Sequence, residues 1–161
     1  MDGASSAIIA MKKAQLEAQI QDLKRLISQY RDKISYYNGQ IRSADKSYES
    51  VTGFKSSVQK SQESFSDVNN IKSSTLEQVN AVSTNNTVAK KYYAGMKRIL
   101  SGTGSKIASK LYSFLINKIG NEQTTLRNKS NDCSEKIDYY NRLINKAQRD
   151  IELKTQELQS L

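Results

Sequence analysis

The stretch LEAQIQDLKRLISQYRDKISYYNGQIRSADKSYESV, residues 16–51, decides the fold. Its apolar side chains follow one another in alternating steps of four and three: Leu16, Ile20, Leu23, Ile27, Tyr30, Ile34, Tyr37, Ile41, Ala44, Tyr48 and Val51. This spacing aligns them in one stripe along an α-helix, as in coiled coils. The next apolar residues are Phe54 and Val58, which puts two steps of three in succession and predicts a local overwinding.

A second stretch, residues 126–161, repeats the same alternation. Its stripe consists of Leu126, Ser130, Cys133, Ile137, Tyr140, Ile144, Ala147, Ile151, Lys154, Leu158 and Leu161. Since Cys133 lies within the stripe, we expect it to be a small buried side chain rather than a reactive thiol. Two long amphipathic helices therefore bracket the chain.

The phrase KISYYNGQIRSA, which begins at Lys33, recurs as KIDYYNRLINKA from Lys136. Facing residues of an antiparallel hairpin have a constant sum of residue numbers, and Tyr37 with Tyr140 gives 177, which centres the hairpin between residues 88 and 89. The repeat is consistent with aromatic layers matched across one seam, and equally with a partial gene duplication. The predicted hairpin seam includes Tyr30, Ile34, Tyr37, Ile41, Ile137, Tyr140 and Ile144.

Between the two helices the composition turns polar. Ser, Thr, Asn and Gln dominate residues 61–87, and STNNT at 83–87 predicts a turn. Ser74 followed by Glu77 has the spacing of a capping box, which predicts a short helix starting at about residue 74. The glycines of SGTGS, residues 101–105, predict a second break.

The predicted fold is therefore all-α: a long antiparallel helical hairpin, coiled-coil-like, with short helices or breaks at its tip. We expect residues 1–161 to form a single domain. Its first arm is assigned to about 5–70, the polar middle and tip to about 71–105, and the second arm to about 106–161.

The composition argues against catalysis. The chain has no His, one Cys and no Pro, so most metal sites and the Ser-His or Cys-His mechanisms are not expected. The stretch GTGSK at 102–106 lacks the residue order of a phosphate-binding loop. We predict a non-enzymatic protein that uses no cofactor and no metal.

The opening MDGASSAIIAMKK does not have the pattern of a secretory signal. No apolar run reaches the length of about 20 residues that a membrane-spanning helix needs. These features favour a cytoplasmic location without a signal peptide.

Positive charge is concentrated in residues 90–129, where nine basic residues stand against the single acid Glu122. Within this segment KIASKLYSFLINKIG, residues 106–120, predicts an amphipathic helix with one apolar face of Ile107, Leu111, Phe114, Leu115 and Ile119. A solvated helix, including one that faces an acidic protein, is favoured. Contact with anionic lipid through 106–120 is the first alternative. Nucleic acid is not an expected partner, because no aromatic and basic interleaving accompanies the charge.

The triplet Tyr93-Ala94-Gly95 lies in the turn region of the predicted hairpin. It resembles the Trp-x-Gly element of the small helical-hairpin proteins of the type VII (ESX) secretion pathway, with Tyr in place of Trp. The whole chain is similar to a related group encoded beside LXG-type toxins in Gram-positive bacteria, in its long heptad arms, polar middle and aromatic-Gly element. The family's export tail, an aromatic residue four positions before an acid, has no counterpart here.

The resemblance implies an accessory or targeting factor that binds the helical N-terminal domain of an LXG-type toxin, alone or with a second small helical protein. Export through a type VII system together with that partner, which would supply the signal, is the implied alternative to a purely cytoplasmic life. A membrane-active helical protein and a self-assembling coiled-coil scaffold, hence a homo-oligomer, are the rival interpretations. The residues expected to contact the partner, unless they pack within the hairpin tip, are Tyr92, Tyr93, Gly95, Met96, Leu111 and Phe114.

Overall fold

The computed structural model describes residues 2–82 and 86–161, with side chains for 6–81 and 86–161. They form three helices, α1 (Asp2–Val82), α2 (Thr87–Ser101) and α3 (Thr103–Gln159), and these residues contain no strand. The two long helices are antiparallel: Gln19 of α1 accepts a hydrogen bond from Lys154 of α3, whereas Asn69 donates one to Ser105. The predicted all-α helical hairpin with breaks at its tip is confirmed.

The chain divides into two compact units. The first, here called the terminal unit, combines Met1–Asp45 with Arg127–Leu161. The second, here called the central unit, is Lys46–Leu126 and contains all of α2.

In the terminal unit the seam lies where the heptad pattern predicts it. Every seam position assigned between residues 16 and 44 and between 130 and 161 is buried or half-buried. Its most buried cluster consists of Ile27, Ile144 and Ala147, with Leu23, Tyr30, Ile34 and Ile151 packed against it. Removal of these side chains from water is the main force that holds the unit together.

The tyrosines form an aromatic layer across this seam. The Tyr140 ring stacks on Tyr37 at a centroid distance of 6.1 Å and also contacts Tyr30 at 5.6 Å. The ammonium group of Lys136 lies 5.3 Å from the centre of the Tyr37 ring. The predicted pairing of the two repeated phrases is therefore present in the structure.

The overwinding predicted after Val51 is wrong. Phe54 is 55% exposed, and Lys55 takes the seam position between the half-buried Val51 and the buried Val58. Lys55 fits because the side chain is only half-buried and its ammonium group donates a hydrogen bond to the side-chain oxygen of Gln123 at 3.2 Å. The alternation of three and four is thus preserved.

The short helix predicted to begin near residue 74 is also wrong, because α1 continues without a break to Val82. Ser74 lies inside the helix, where the Thr75 hydroxyl donates to the carbonyl of Ile71 and no Pro or Gly interrupts the backbone ladder. Leu76 is buried, so this last part of α1 is stabilised by packing despite its polar sequence.

Residues 83–85 of the predicted turn lie outside the described residues, and Asn86 follows them as the N-cap of α2. Its side-chain oxygen accepts hydrogen bonds from the backbone N–H groups of Val88 and Ala89, at 2.9 and 3.2 Å. These bonds satisfy two donors that the first turn of a helix leaves free.

The second predicted break is present at Gly102, which separates α2 from α3. Its backbone is extended, with φ −80° and ψ −169°. A Cβ at this position would lie 1.9 Å from the carbonyl oxygen of Arg98. Glycine is therefore required here by a close approach of the backbone.

Candidate partner-binding surface of the central unit

The contact residues predicted on α2 divide between its two sides. Tyr93 and Met96 are half-buried on the side that faces α1, whereas Tyr92 and Gly95 are exposed. A four-three spacing of Ala89, Tyr93, Met96 and Leu100 gives α2 one inward stripe.

Tyr93 fastens α2 to α1 through a polar cluster. Its hydroxyl donates a hydrogen bond to a carboxylate oxygen of Glu77, and the Lys97 ammonium donates to the same oxygen at 3.1 Å. Lys97 also donates to the Tyr93 hydroxyl at 2.7 Å. The pKa of Glu77 is lowered, mainly by the hydrogen bond that it accepts from Tyr93 and then by the one from Lys97. The pKa of Lys97 is raised, mainly by its hydrogen bond with Tyr93 and then by the one with Glu77. Tyr93 therefore has a structural task within the chain.

A surface groove of about 270 Å³ lies between α1 and α2. Its walls are formed by Lys72, Thr75, Leu76, Val79, Tyr92, Met96 and Leu100. Met96 thus lines a surface groove from the inner side of α2, and the exposed Tyr92 lies on its rim.

The single apolar face predicted for residues 106–120 is wrong, because two adjacent stripes share this part of α3. The stripe that packs on α1 consists of Ala108, Tyr112, Ile116 and Ile119. Tyr112 meets Phe65 there, with ring centroids 6.0 Å apart. The remaining members of the predicted face, Ile107, Leu111, Phe114 and Leu115, are exposed.

The contact between Phe65 and Tyr112 fixes which residues share a side of the central unit. In an antiparallel helix pair, the residues that precede two facing seam residues lie on the same side of the pair, and those that follow them lie on the opposite side. Ser64 and Leu111 therefore mark one side, and Ser66 and Ser113 mark the other.

One side of the central unit is polar. Its groove of about 280 Å³ is bordered by Gln62, Phe65, Ser66, Asn69, Asn70, Ser73, Leu100, Ser105 and Ser109. Within it the Asn69 amide donates a hydrogen bond to the Ser105 hydroxyl at 3.0 Å.

The other side is apolar and exposed. On α1, Val68 and Ile71 lie one and two turns beyond Ser64. On α3, Ile107, Phe114 and Leu115 lie three or four positions from Leu111 and so share its side. We call this surface the apolar face: Val68, Ile71, Ile107, Leu111, Phe114 and Leu115. The sequence pattern picked out Leu111 and Phe114 but missed Val68 and Ile71. Phe65 and Tyr112 add up to 177, as Tyr37 and Tyr140 do. Extending the alignment of the two helices from the tyrosines to this pair could have placed Val68 and Ile71 beside Leu111.

Lysines border the apolar face on α3. Lys110, one turn before Phe114, lies at its outer margin, and the ammonium group of Lys118 stands 5.6 Å from the centre of the Phe114 ring. On α1, Lys72 follows Val68 by one turn and Asp67 precedes Ile71 by one turn, so the lysines at the margin outnumber the one acid. The face is therefore apolar in the middle and mainly basic at its edge.

Within the described residues, His, Cys, Asp and Glu form no group of three that could hold a metal ion. No helix in this part of the chain combines the length and the apolar character needed to cross a membrane.

Fold and surface together define the class: an all-helical hairpin protein that exposes an apolar face with a mainly basic margin. Comparison of the chain with known protein families, curated proteins and solved structures gave no match.

Proposed function

We propose that the chain is a non-enzymatic accessory or targeting protein that binds the helical N-terminal domain of an LXG-type toxin for type VII secretion. The observation that carries the binding role is the apolar face, to which both α1 and α3 contribute exposed apolar side chains. A patch of this kind on a soluble hairpin is typical of a surface covered by another helix.

The choice of partner rests on the resemblance of the chain to the accessory proteins encoded beside LXG-type toxins. Long heptad arms and the Tyr93-Ala94-Gly95 element support it. Encounter in the cytoplasm, followed by presentation of the complex to the secretion machinery, is the order of events that this proposal implies.

Size-exclusion chromatography with light scattering, on the chain alone and mixed with the helical N-terminal domain of an LXG-type toxin, tests the proposal. We expect a stoichiometric complex that is lost when Leu111 and Phe114 are both replaced by Lys. Leu153→Lys is the matched control, because Leu153 is equally exposed but belongs to the terminal unit.

Two results would contradict the proposal. A chain that forms a stable homo-oligomer and ignores the toxin domain would favour the scaffold interpretation. A chain that ignores the toxin domain and binds anionic vesicles would favour the membrane interpretation.

A further inference from the structure

The apolar face is large and exposed enough to require an explanation. Ile71 is 65%, Leu111 61% and Phe114 59% exposed, although the opposite side of the same helix pair is built from Ser, Asn and Gln. The helix pair is therefore amphipathic, with one polar and one apolar side, as a single helix is when it packs on a neighbour. The pattern predicts a third helix on the apolar side.

The geometry of the face suits one helix laid along the pair. Ile107, Leu111 and Leu115 follow one another in single helical turns on α3, and Val68 and Ile71 lie near Ile107 and Leu111 in height because Phe65 faces Tyr112. A helix resting between these two rows would insert its own apolar stripe, as ridges pack into grooves.

The charge of the margin selects the chemistry of that helix. Lys72, Lys110 and Lys118 border the face, against one acid, Asp67. A partner helix with acidic residues beside its apolar stripe would pair with these lysines. A second copy of this chain would bring its own lysines to the contact, so self-association through this face is disfavoured.

We propose that the apolar face of the central unit binds one amphipathic helix whose apolar stripe is flanked by Asp or Glu. This inference rests on the proposed function, since such a helix would belong to the partner protein. The inward residues Tyr93 and Met96 have no direct part in this contact.

A pair of designed peptides tests the proposal on the full chain. Each peptide has about 21 residues, enough for about six helical turns, and carries Leu in a helical stripe and one Trp. One has Glu beside the stripe and the other has Lys. Because the chain itself has no Trp, the fluorescence of the peptide alone reports binding.

We expect the Glu peptide to bind about tenfold or more tightly than the Lys peptide, with an affinity that falls as salt is added. Replacement of both Leu111 and Phe114 by Ser should weaken binding about tenfold. Leu153→Ser should leave it unchanged. Equal circular dichroism at 222 nm among the variants controls for folding.

The proposal is overturned if the Glu peptide does not bind, if both peptides bind equally, or if the Leu111 and Phe114 replacements have no effect. Vesicles of about three parts phosphatidylcholine to one part phosphatidylglycerol provide the lipid arm. Binding to these vesicles without binding to the Glu peptide would also overturn it.

The outcome separates this inference from the proposed function. If the toxin domain still binds the Leu111 and Phe114 variant, the proposed function is supported but the apolar face is not its binding site. If the Glu peptide binds and the toxin domain does not, the apolar face is a binding site but the toxin is not the partner.

Discussion

Tyr37 and Tyr140 stack across the seam of the terminal unit, with ring planes 20° from parallel. Each is preceded by an exposed tyrosine, Tyr36 and Tyr139, which meets it edge to face at centroid distances of 5.3 and 5.4 Å. The repeated phrase thus builds the same aromatic pair on both helices and joins the two pairs at the seam.

Replacement of Tyr140 by Ala should lower the free energy of unfolding by about 2–3 kcal/mol. It removes a half-buried ring and its contacts with Tyr30 and Tyr37. Urea unfolding followed by circular dichroism measures the loss. Tyr139→Ala is the matched control and should cost less than about 1 kcal/mol, because that ring is mostly exposed. Equal losses for the two variants would show that the seam layer is not the stabilising element.

The heptad pattern predicted the hairpin and its seam because periodicity reports which side of a helix is buried. It failed at Phe54, where the more apolar residue is exposed and Lys55 is at the seam. Lys55 is stable at the seam because Gln123, on the other helix, accepts a hydrogen bond from its ammonium group. A pattern read along one helix does not contain this information.

The polar seam of the central unit should make that unit easier to open. Its half-buried seam positions include Lys55, Gln62, Asn69, Ser105 and Gln123, whereas aliphatic and aromatic residues dominate the terminal seam. We expect backbone amides in 46–126 to exchange with deuterium about tenfold or more faster than seam amides of the terminal unit.

Mass spectrometry of the exchanged chain measures this difference. Joint replacement of Asn69 by Leu and Ser105 by Ala exchanges a polar pair for apolar packing and should slow exchange in the central unit alone. Uniform protection along both units would refute the prediction.

The cluster of Glu77, Tyr93 and Lys97 should hold α2 within a defined pH window. Because the pKa of Glu77 is lowered below its ordinary 4.5, its contribution is present above 4.5 and is lost as the pH falls through the lowered pKa. Because the pKa of Lys97 is raised above 10.5, its contribution is present below 10.5 and is lost as the pH rises through the raised pKa.

Amide protection factors in α2, measured by NMR against pH, should therefore fall at the acidic end. In Glu77→Gln this acidic decrease should be absent, and Glu63→Gln should behave as the parent chain. An unchanged acidic profile in Glu77→Gln would exclude the cluster as the cause.

Gly102→Ala should destabilise the junction of α2 and α3, since the added Cβ would collide with the carbonyl oxygen of Arg98. We expect a loss of about 1–3 kcal/mol in thermal unfolding. Gly95→Ala is the contrasting variant: its Cβ meets open space inside α2, so it should gain about 0.5–1 kcal/mol. A neutral Gly102→Ala would mean that the backbone relaxes without cost.

The candidate site was only partly accessible to prediction. Leu111 and Phe114 were selected from the amphipathic pattern of 106–120, but the same pattern grouped them with Ile119, which is buried. Separating the two stripes requires knowing where α3 meets α1, and the pair of Phe65 and Tyr112 supplies that. The hydroxyl of Tyr93 donates to Glu77, a partner 16 positions earlier in the chain, and the local pattern around Tyr93 contains no sign of this contact.

Cys133 gives the terminal unit a natural reporter. It is the only thiol of the chain and lies buried on the seam, 7% exposed. A thiol reagent would reach it chiefly when α1 and α3 separate, so the labelling rate would count opening events in the unmodified protein. Any ligand that holds α1 and α3 together in this unit would therefore slow the labelling of Cys133.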